Sequence, residues 1–374
     1  MKDVFIVADN ITSPLGNRTS ENFSKLVKGI SAVKQHNNKK INNEPFFAAL
    51  FDESAFKTNE RYTKFEQLLI SSIDDALQQT HIDVSNQKTL LIISTTKGNI
   101  SLLETEEYND ALKQRIALHT SAKLVAEHFG FTDQPLIVSN ACISGLLGII
   151  TAMRLIRANQ YENIIVAGAD EITKFVFSGF QSFQALSNEI CKPFDKKRTG
   201  INLGEGAATV ILSANKKNDS NIKVVSGSVS NDANHISGPS RTGNELFQCI
   251  GIAMNNAALT ADNIDFISAH GTATLYNDEM EAKAIASAKL ESSPVNSLKG
   301  YYGHTLGAAG LVESIISIQS LKQNIVIPTK GFEEIGVSKQ INICSEIIHA
   351  PLQHCLKTAS GFGGCNAAAI FSKQ

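Results

Sequence analysis

The chain carries no large excess of charge of either sign, with 34 Lys and Arg against 36 Asp and Glu and a formal net charge of -2 over 374 residues. That balance removes any global electrostatic case for nucleic acid or an anionic membrane as the partner. Long apolar runs are absent too. The apolar part of the N-terminal MKDVFIVADN is too short for a signal-peptide core, and no later stretch is long enough to span a bilayer, so the cytoplasm is the expected compartment. Six cysteines, at positions 142, 191, 249, 344, 355 and 365, form no Cys-x-x-Cys pair and no zinc spacing with histidine. Reduced thiols are then expected, each to be judged by its own surroundings. A nucleotide loop is also missing: PFDKKRTGINLGEG (193–206) departs from the G-x-x-x-x-G-K-[ST] pattern.

What is present suits a soluble globular protein of one large or two fused domains, with 43% hydrophobic and 19% charged residues. Short apolar runs alternate with helix-period segments: VFIVA near residue 4, YTKFEQLLISSIDDAL, TLLIIST, a helix from about 120 to 129, then LIV. The rhythm continues through NIIVAGAD, AATVILS, IKVVSGSVS, a helix around 244–258, IDFISAH, a helix around 279–289 and ESIISIQSL. This is α/β alternation, which predicts strands buried in a mainly parallel sheet. Two pairs of segments suggest an internal duplication. TLLIISTTKG (89–98) is like NIDFISAHGT (263–272), and IVSNACISGLLGIITAM is like KGYYGHTLGAAGLVESIISI. The polar HNNKKINNE (36–44) and SANKKNDSN (213–221) read as surface loops, and the second suits a junction between halves.

Four constellations could carry chemistry, and each also has a plain structural reading. In LIVSNACISGLLGII (136–150) a strand would feed a helix with Cys142 at its start, where unpaired N–H groups and the positive dipole end favour a thiolate. The alternative is a buried packing cysteine. SAHGTATLYND (268–278) puts His270 in a Gly- and Thr-rich loop after a strand, where open α/β sheets place their chemistry, although a hydrogen-bonded structural His would look the same. KGYYGHTLGAAG (299–310) places His304 before a small-residue helix, which could simply mark a tight helix–helix contact. Gly361-Phe-Gly-Gly364 can aim N–H groups at an anion or form an ordinary hairpin turn.

In this order, the Cys, then PFDxxRxG…GEGAA, HGTxTxxND, KxxxGHxxGAAG and GFGGxN, the sequence resembles the β-ketoacyl-[acyl carrier protein] synthases over its whole length. VFIVADNITSPLGN is similar to that family's first strand and loop. The pairing of HGTxT with GHxxGAAG resembles the Cys-His-His elongating branch. The resemblance implies a thiolase-like fold of two duplicated βαβαβαββ halves in an α-β-α-β-α sandwich, here residues 1–217 with the nucleophile and 218–374 with the two histidines. It implies decarboxylative condensation of an acyl thioester held on Cys142 with malonyl carrier, assisted by His270 and His304. Lys299 would pair with Glu281, with Asp278 and Glu313 in support. Backbone N–H groups of Cys142 and Phe362 would form an oxyanion hole. Thr272 and Thr274 would touch the pantetheine arm, and Phe362 would gate a pocket that Ser360 helps to line. No metal and no redox cofactor is implied, because the substrates ride on the phosphopantetheine of acyl carrier protein. That carrier is the implied partner, with Arg61 and Lys64 as docking candidates, and so is a second subunit in a homodimer or a heterodimer with a related chain.

Three features depart from the family. Ser360 stands where a phenylalanine is common, NISLLETEEYNDALKQ (99–114) is shorter and more acidic than the corresponding region, and the chain is short for the group. They bear on the acyl substrate rather than the reaction. Rival readings are a chain-length-factor-like partner, which would lack the nucleophile, a non-catalytic carrier-binding scaffold, and a degradative thiolase with Cys365 as its second reactive cysteine.

Overall fold

A computed structural model describes residues 2–56, 59, 61–216, 221–234 and 236–374. Ten strands form one continuous sheet: β1 (Phe5–Thr12), β2 (Thr89–Ser94), β3 (Leu136–Val138), β4 (Asn163–Asp170), β5 (Gly206–Ser213), β6 (Ile222–Asn231), β7 (Phe266–Ser268), β8 (Val295–Asn296), β9 (His354–Gly361) and β10 (Cys365–Lys373). Their spatial order is β8-β7-β9-β10-β6-β1-β5-β4-β2-β3. Two five-stranded units are visible in it. Counted along the chain within each unit, strands one to five lie in the order 1-5-4-2-3 in both. The units meet at one antiparallel pair, Phe5 opposite Lys223.

The pairing directions repeat as well. In each unit the second strand is parallel to the third and fourth, and the fifth is antiparallel to both its neighbours. The sheet is therefore mixed where the alternation predicts a mainly parallel one. The physical reason is clearest between β9 and β10, which are joined by a turn at Gly361–Cys365 too short for anything but antiparallel return.

Eight of the helices frame the site and its layers: α1 (Lys64–Gln78), α2 (Leu118–Phe129), α3 (Ser144–Arg157), α4 (Lys174–Ser182), α5 (Asn244–Ala257), α6 (Leu275–Ser287), α7 (Lys299–Tyr302) and α8 (Ala309–Gln323). α1 packs on β1, β4 and β5 with α2 beside it, α5 packs on β6 and β10 with α6 beside it, and α3 lies against α8 between the two strand units. Three of the apolar clusters fill the spaces between the layers, one under α1 and α2, one under α5 and α6, and a large central one that draws on both halves, and a fourth lies beneath α4. This is the five-layered arrangement the resemblance implies. The segments matched within the sequence fall on equivalent elements, β2 with β7 and α3 with α8. The expected boundary between 217 and 218 lies outside the described residues, between Ser213 at the end of β5 and Ile222 at the start of β6.

Glycine sets the distance between the two central helices. A Cβ on Gly145 would sit 2.7 Å from Leu311 N, and one on Gly310 would sit 2.4 Å from Leu146 N, both closer than real Cβ atoms approach. The small residues of SGLLG and GAAG thus let α3 and α8 touch backbone to backbone. That contact brings the cysteine turn of one half against the histidine turn of the other.

Candidate active site

Cys142 occupies the link between β3, which ends at Val138, and α3, which begins at Ser144. The preceding residue, Ala141, has φ of 43°, a left-handed conformation costly for a residue with a Cβ. Ser144 holds the turn: its Oγ accepts from Asn140 N at 2.8 Å and donates to Ala141 O at 2.6 Å. β9 ends on the same spot. A Cβ at Gly361 would lie 3.0 Å from Cys142 N and 3.1 Å from Ala141 Cβ, so only glycine lets that strand end beside the cysteine amide.

The other half supplies both histidines. His270 follows β7, and His304 sits between α7 and α8. His304 Nε2 is 2.9 Å from Cys142 Sγ, and the two imidazoles meet edge to face with centroids 5.3 Å apart. One donor atom from each of Cys142, His270 and His304 falls within 4.8 Å of the other two. Such a sulfur-and-nitrogen set could also hold a thiophilic divalent ion, and it is the one group of that kind among the described residues.

Behind the histidines lies a buried charge cluster that corrects one expectation. Lys299 does not pair with Glu281. Its Nζ donates to His270 O at 3.0 Å and forms its ion pair with Glu313, while Glu313 Oε2 also lies 2.7 Å from Lys357 Nζ. Glu281 is taken up otherwise: its carboxylate accepts from the N–H groups of His270 at 2.8 Å and Gly271 at 2.6 Å, and from Thr358 and Asn277. α6 aims Glu281 at the backbone of the His270 loop, whereas α8 aims Glu313 at the lysines. Asp278, one turn before Glu281, accepts from Phe194 N at 2.7 Å and Thr272 N at 2.9 Å, and burial pushes its carboxyl up to about 7.

Burial also overturns the expected thiolate. It pushes the Cys142 thiol up to about 12, with the neighbouring Cys365 acting in the same direction and Lys299 opposing. Burial holds both imidazoles well below the usual histidine range, reinforced by Lys299 and Lys357. The resting site is thus a thiol facing neutral imidazoles. Iodoacetamide should therefore alkylate Cys142 at a rate rising about tenfold per pH unit from pH 7 to pH 9, because only the thiolate reacts. A plateau below pH 8 would instead show a resting thiolate.

The three groups open on a cavity of about 580 Å³ that also receives Thr272, Thr274, Ser360 and Phe362. The two threonine hydroxyls are 2.8 Å apart. Ser360 Oγ donates to Asn366 Oδ1 at 2.7 Å, which makes that part of the wall polar. Phe362, 39% exposed, stacks on Phe180 at 5.7 Å between centroids and meets Phe183 at 5.4 Å. Phe180 in turn faces His304. Sequence reading missed Phe180, Phe183 and Lys357. The aromatic spacing of FVFSGFQSF and a lysine inside the apolar strand CLKTAS were the available signals.

Other candidates lie elsewhere. Cys365 is buried behind Gly361 and is not part of the cavity wall, as a packing residue would be. Arg61 and Lys64 do not line the cavity; Lys64 Nζ is bound to Glu205 at 2.7 Å and Arg61 lies over the Tyr62 ring. Residues 99–114 do not line it either.

The profile for the beta-ketoacyl synthase N-terminal domain matches residues 1–218, more than half of the chain, and that for the C-terminal domain matches residues 222–333. The chain belongs to the β-ketoacyl synthase family. A relative, 3-oxoacyl-[acyl-carrier-protein] synthase 2 of Vibrio cholerae, is 28% identical over 418 residues covering 99% of each chain. Among solved structures, a beta-ketoacyl synthase from Burkholderia phymatum superposes with a TM-score of 0.89 at 24% identity, covering 100% of both chains. A ketosynthase in complex with its chain length factor, from Xenorhabdus doucetiae, gives 0.87 at 23% identity, with 100% of this chain and 98% of that one covered. At those identities the two structures speak for the fold. Among the described residues, no helix is long and apolar enough to cross a membrane.

Proposed function

We propose that this β-ketoacyl synthase condenses an acyl group held on Cys142 with malonyl-[acyl carrier protein], giving β-ketoacyl-[acyl carrier protein] and CO2. The observation that carries the reading is the 2.9 Å contact between Cys142 Sγ and His304 Nε2, with His270 beside it at the cavity floor. A chain-length-factor-like subunit or a carrier-binding scaffold has no use for a nucleophile set against two neutral imidazoles. The chain divides into an N-terminal half that bears the nucleophile and a C-terminal half that bears both histidines, and the reaction runs between them.

The first half-reaction moves the acyl group from the carrier's thiol to Cys142. His304 takes the thiol proton as sulfur attacks, and the carrier thiol leaves with a proton. The N–H groups of Cys142 and Phe362 receive the oxyanion of the tetrahedral intermediate. In the second half-reaction the C–C bond to the malonyl carboxylate breaks, CO2 departs, and the electron pair passes to the thioester oxygen as an enolate. Nitrogen-bound protons of His270 and His304 stabilise it. The carbon then attacks the acyl-Cys142 carbonyl, expelling the Cys142 sulfur, which regains a proton. Thr272 and Thr274 hold the pantetheine arm, Phe362 gates entry, and Lys299, Glu313, Glu281 and Asp278 fix the two histidine loops. Each bond is made by thioester chemistry and hydrogen bonding, so the protein brings no cofactor of its own, and the carrier's phosphopantetheine delivers both substrates.

Incubation with acyl carrier should leave an acyl adduct on Cys142, detected by mass spectrometry after digestion; a protein that stays unmodified with every chain length offered would contradict the reading. The reaction belongs to fatty-acid, polyketide or aryl-polyene synthesis in the cytoplasm. The partner subunit is a second copy of the chain, a related subunit being the alternative, and it docks along β3. Leu136 on that strand is 39% exposed, and an open strand edge invites pairing. Sedimentation at micromolar concentration should give a dimer, and a monomer would refute this. The carrier is acidic and docks on basic surface groups. Arg61 is the better of the two docking candidates, because Lys64 is already bound to Glu205.

A further inference from the structure

β9 contains a residue that its pattern does not call for. Lys357 stands among Cys355, Leu356 and Ala359, all buried, and is itself 0% exposed. A buried ammonium survives only with charge and hydrogen-bond partners. Lys357 has both: Glu313 Oε2 at 2.7 Å, and the carbonyl oxygens of Thr358 at 2.7 Å, Ser268 at 3.1 Å and Ala269 at 3.4 Å. Lys299 holds the next carbonyl, that of His270, and the other oxygen of Glu313. Three successive carbonyls, those of residues 268 to 270, are therefore gripped by two ammonium groups joined through one carboxylate.

We propose that Lys357 is a positioning residue for the condensing site, fixing the backbone that carries His270 and, with Lys299, keeping positive potential on both imidazoles. The inference rests on the reading of the site as a condensing one. Its value there is chemical. A site that must admit a malonyl carboxylate and hold an enolate gains from buried cations close to the imidazoles, and two ammonium groups sharing the Glu313 carboxylate provide them. The other buried charges near the histidines are themselves hydrogen-bonded, Glu281 to the N–H of His270 itself. Glu281 and Asp278 on α6 face backbone N–H groups, with Arg198 3.8 Å from Asp278. Asp170 at the end of β4 accepts from Thr95, Thr96 and Gly307 N, and Cys142 rests as a thiol. The lysines are the charged groups that, after burial, hold both imidazoles down.

The test is the pH profile of CO2 release from malonyl carrier, measured on the full-length protein and on Lys357→Met, Lys357→Gln, Lys357→Arg and Glu313→Gln variants whose folding is checked by thermal melting. Removing the Lys357 charge makes the imidazoles easier to protonate, so in the Met and Gln variants the acid limb should move up by about half a pH unit or more. The Arg variant, which keeps the charge, should retain the wild-type limb. Glu313→Gln leaves two cations without their carboxylate and should move the limb the other way. A structural role alone would lower the height of the profile without displacing it. Unshifted limbs in the Met and Gln variants overturn the proposal, as does a shift shared by the Arg variant. Should neither neutral variant fold, the sign of the Glu313→Gln shift decides. Absence of CO2 release from the unaltered protein would be a different failure, that of the condensing reading itself.

Discussion

Cys142→Ala should make no β-ketoacyl product from acyl carrier and malonyl carrier, yet should still release CO2 from malonyl carrier. The two outcomes separate because the nucleophile and the enolate-stabilising groups come from different halves of the chain. The Cys142 sulfur is the nucleophile of the first half-reaction, and no hydroxyl or amine stands in its place in the alanine variant. Decarboxylation asks for something else, hydrogen-bond donors at the thioester oxygen, which the alanine variant still has in His270 and His304. Alanine also retains the N–H at position 142, so the backbone contribution to the oxyanion site survives. The variant should fold normally, since the turn is held by Ser144 and by the close approach of Gly361 rather than by the thiol.

His304→Ala should lose decarboxylation by on the order of 10²–10³, the usual consequence of removing one preorganised donor from a developing oxyanion. Acylation of Cys142 should persist but slow, because the imidazole 2.9 Å from Sγ is the base that receives the thiol proton. The slowing should be the more evident because burial raises the thiol to about 12, leaving little thiolate to react unaided. Stopped reactions with acyl carrier, followed by the mass of the Cys142 peptide, give the acylation rate; CO2 trapping gives the other. A variant that decarboxylates at the wild-type rate would remove His304 from the second half-reaction.

Much of this site was legible in the sequence because its parts are local. Cys142, His270 and His304 each lie in a turn beside a helix, two of those turns following a strand, and such turns keep their small and polar residues together in the chain. The repeat of TLLIISTTKG in NIDFISAHGT, and of the cysteine segment in the GAAG segment, was a faithful trace of two superimposable strand orders. Pairings that depend on how elements cross were not legible. Lys299 has several carboxylates near it along the sequence, Asp278, Glu279, Glu281, Glu291 and Glu313, and only the way the elements fold decides that Glu313 receives it. Lys357 reads as an irregularity in a strand until β7 and α8 are folded around it. The thiolate expectation failed for a related reason: the start of α3 can be read from the sequence, whereas the depth at which Cys142 lies beneath the β9–β10 turn cannot. Phe180 and Phe183 became wall residues only when α4 and the segment after it came to face Phe362.

The central claim is that acyl transfer and decarboxylation are separate tasks of separate groups. Radiolabelled CO2 release from malonyl carrier, measured side by side for Cys142→Ala and His304→Ala at matched folded concentrations, tests it most directly. Release that continues in the cysteine variant and collapses in the histidine variant is the predicted result; equal collapse in both, with both folded, would contradict the account.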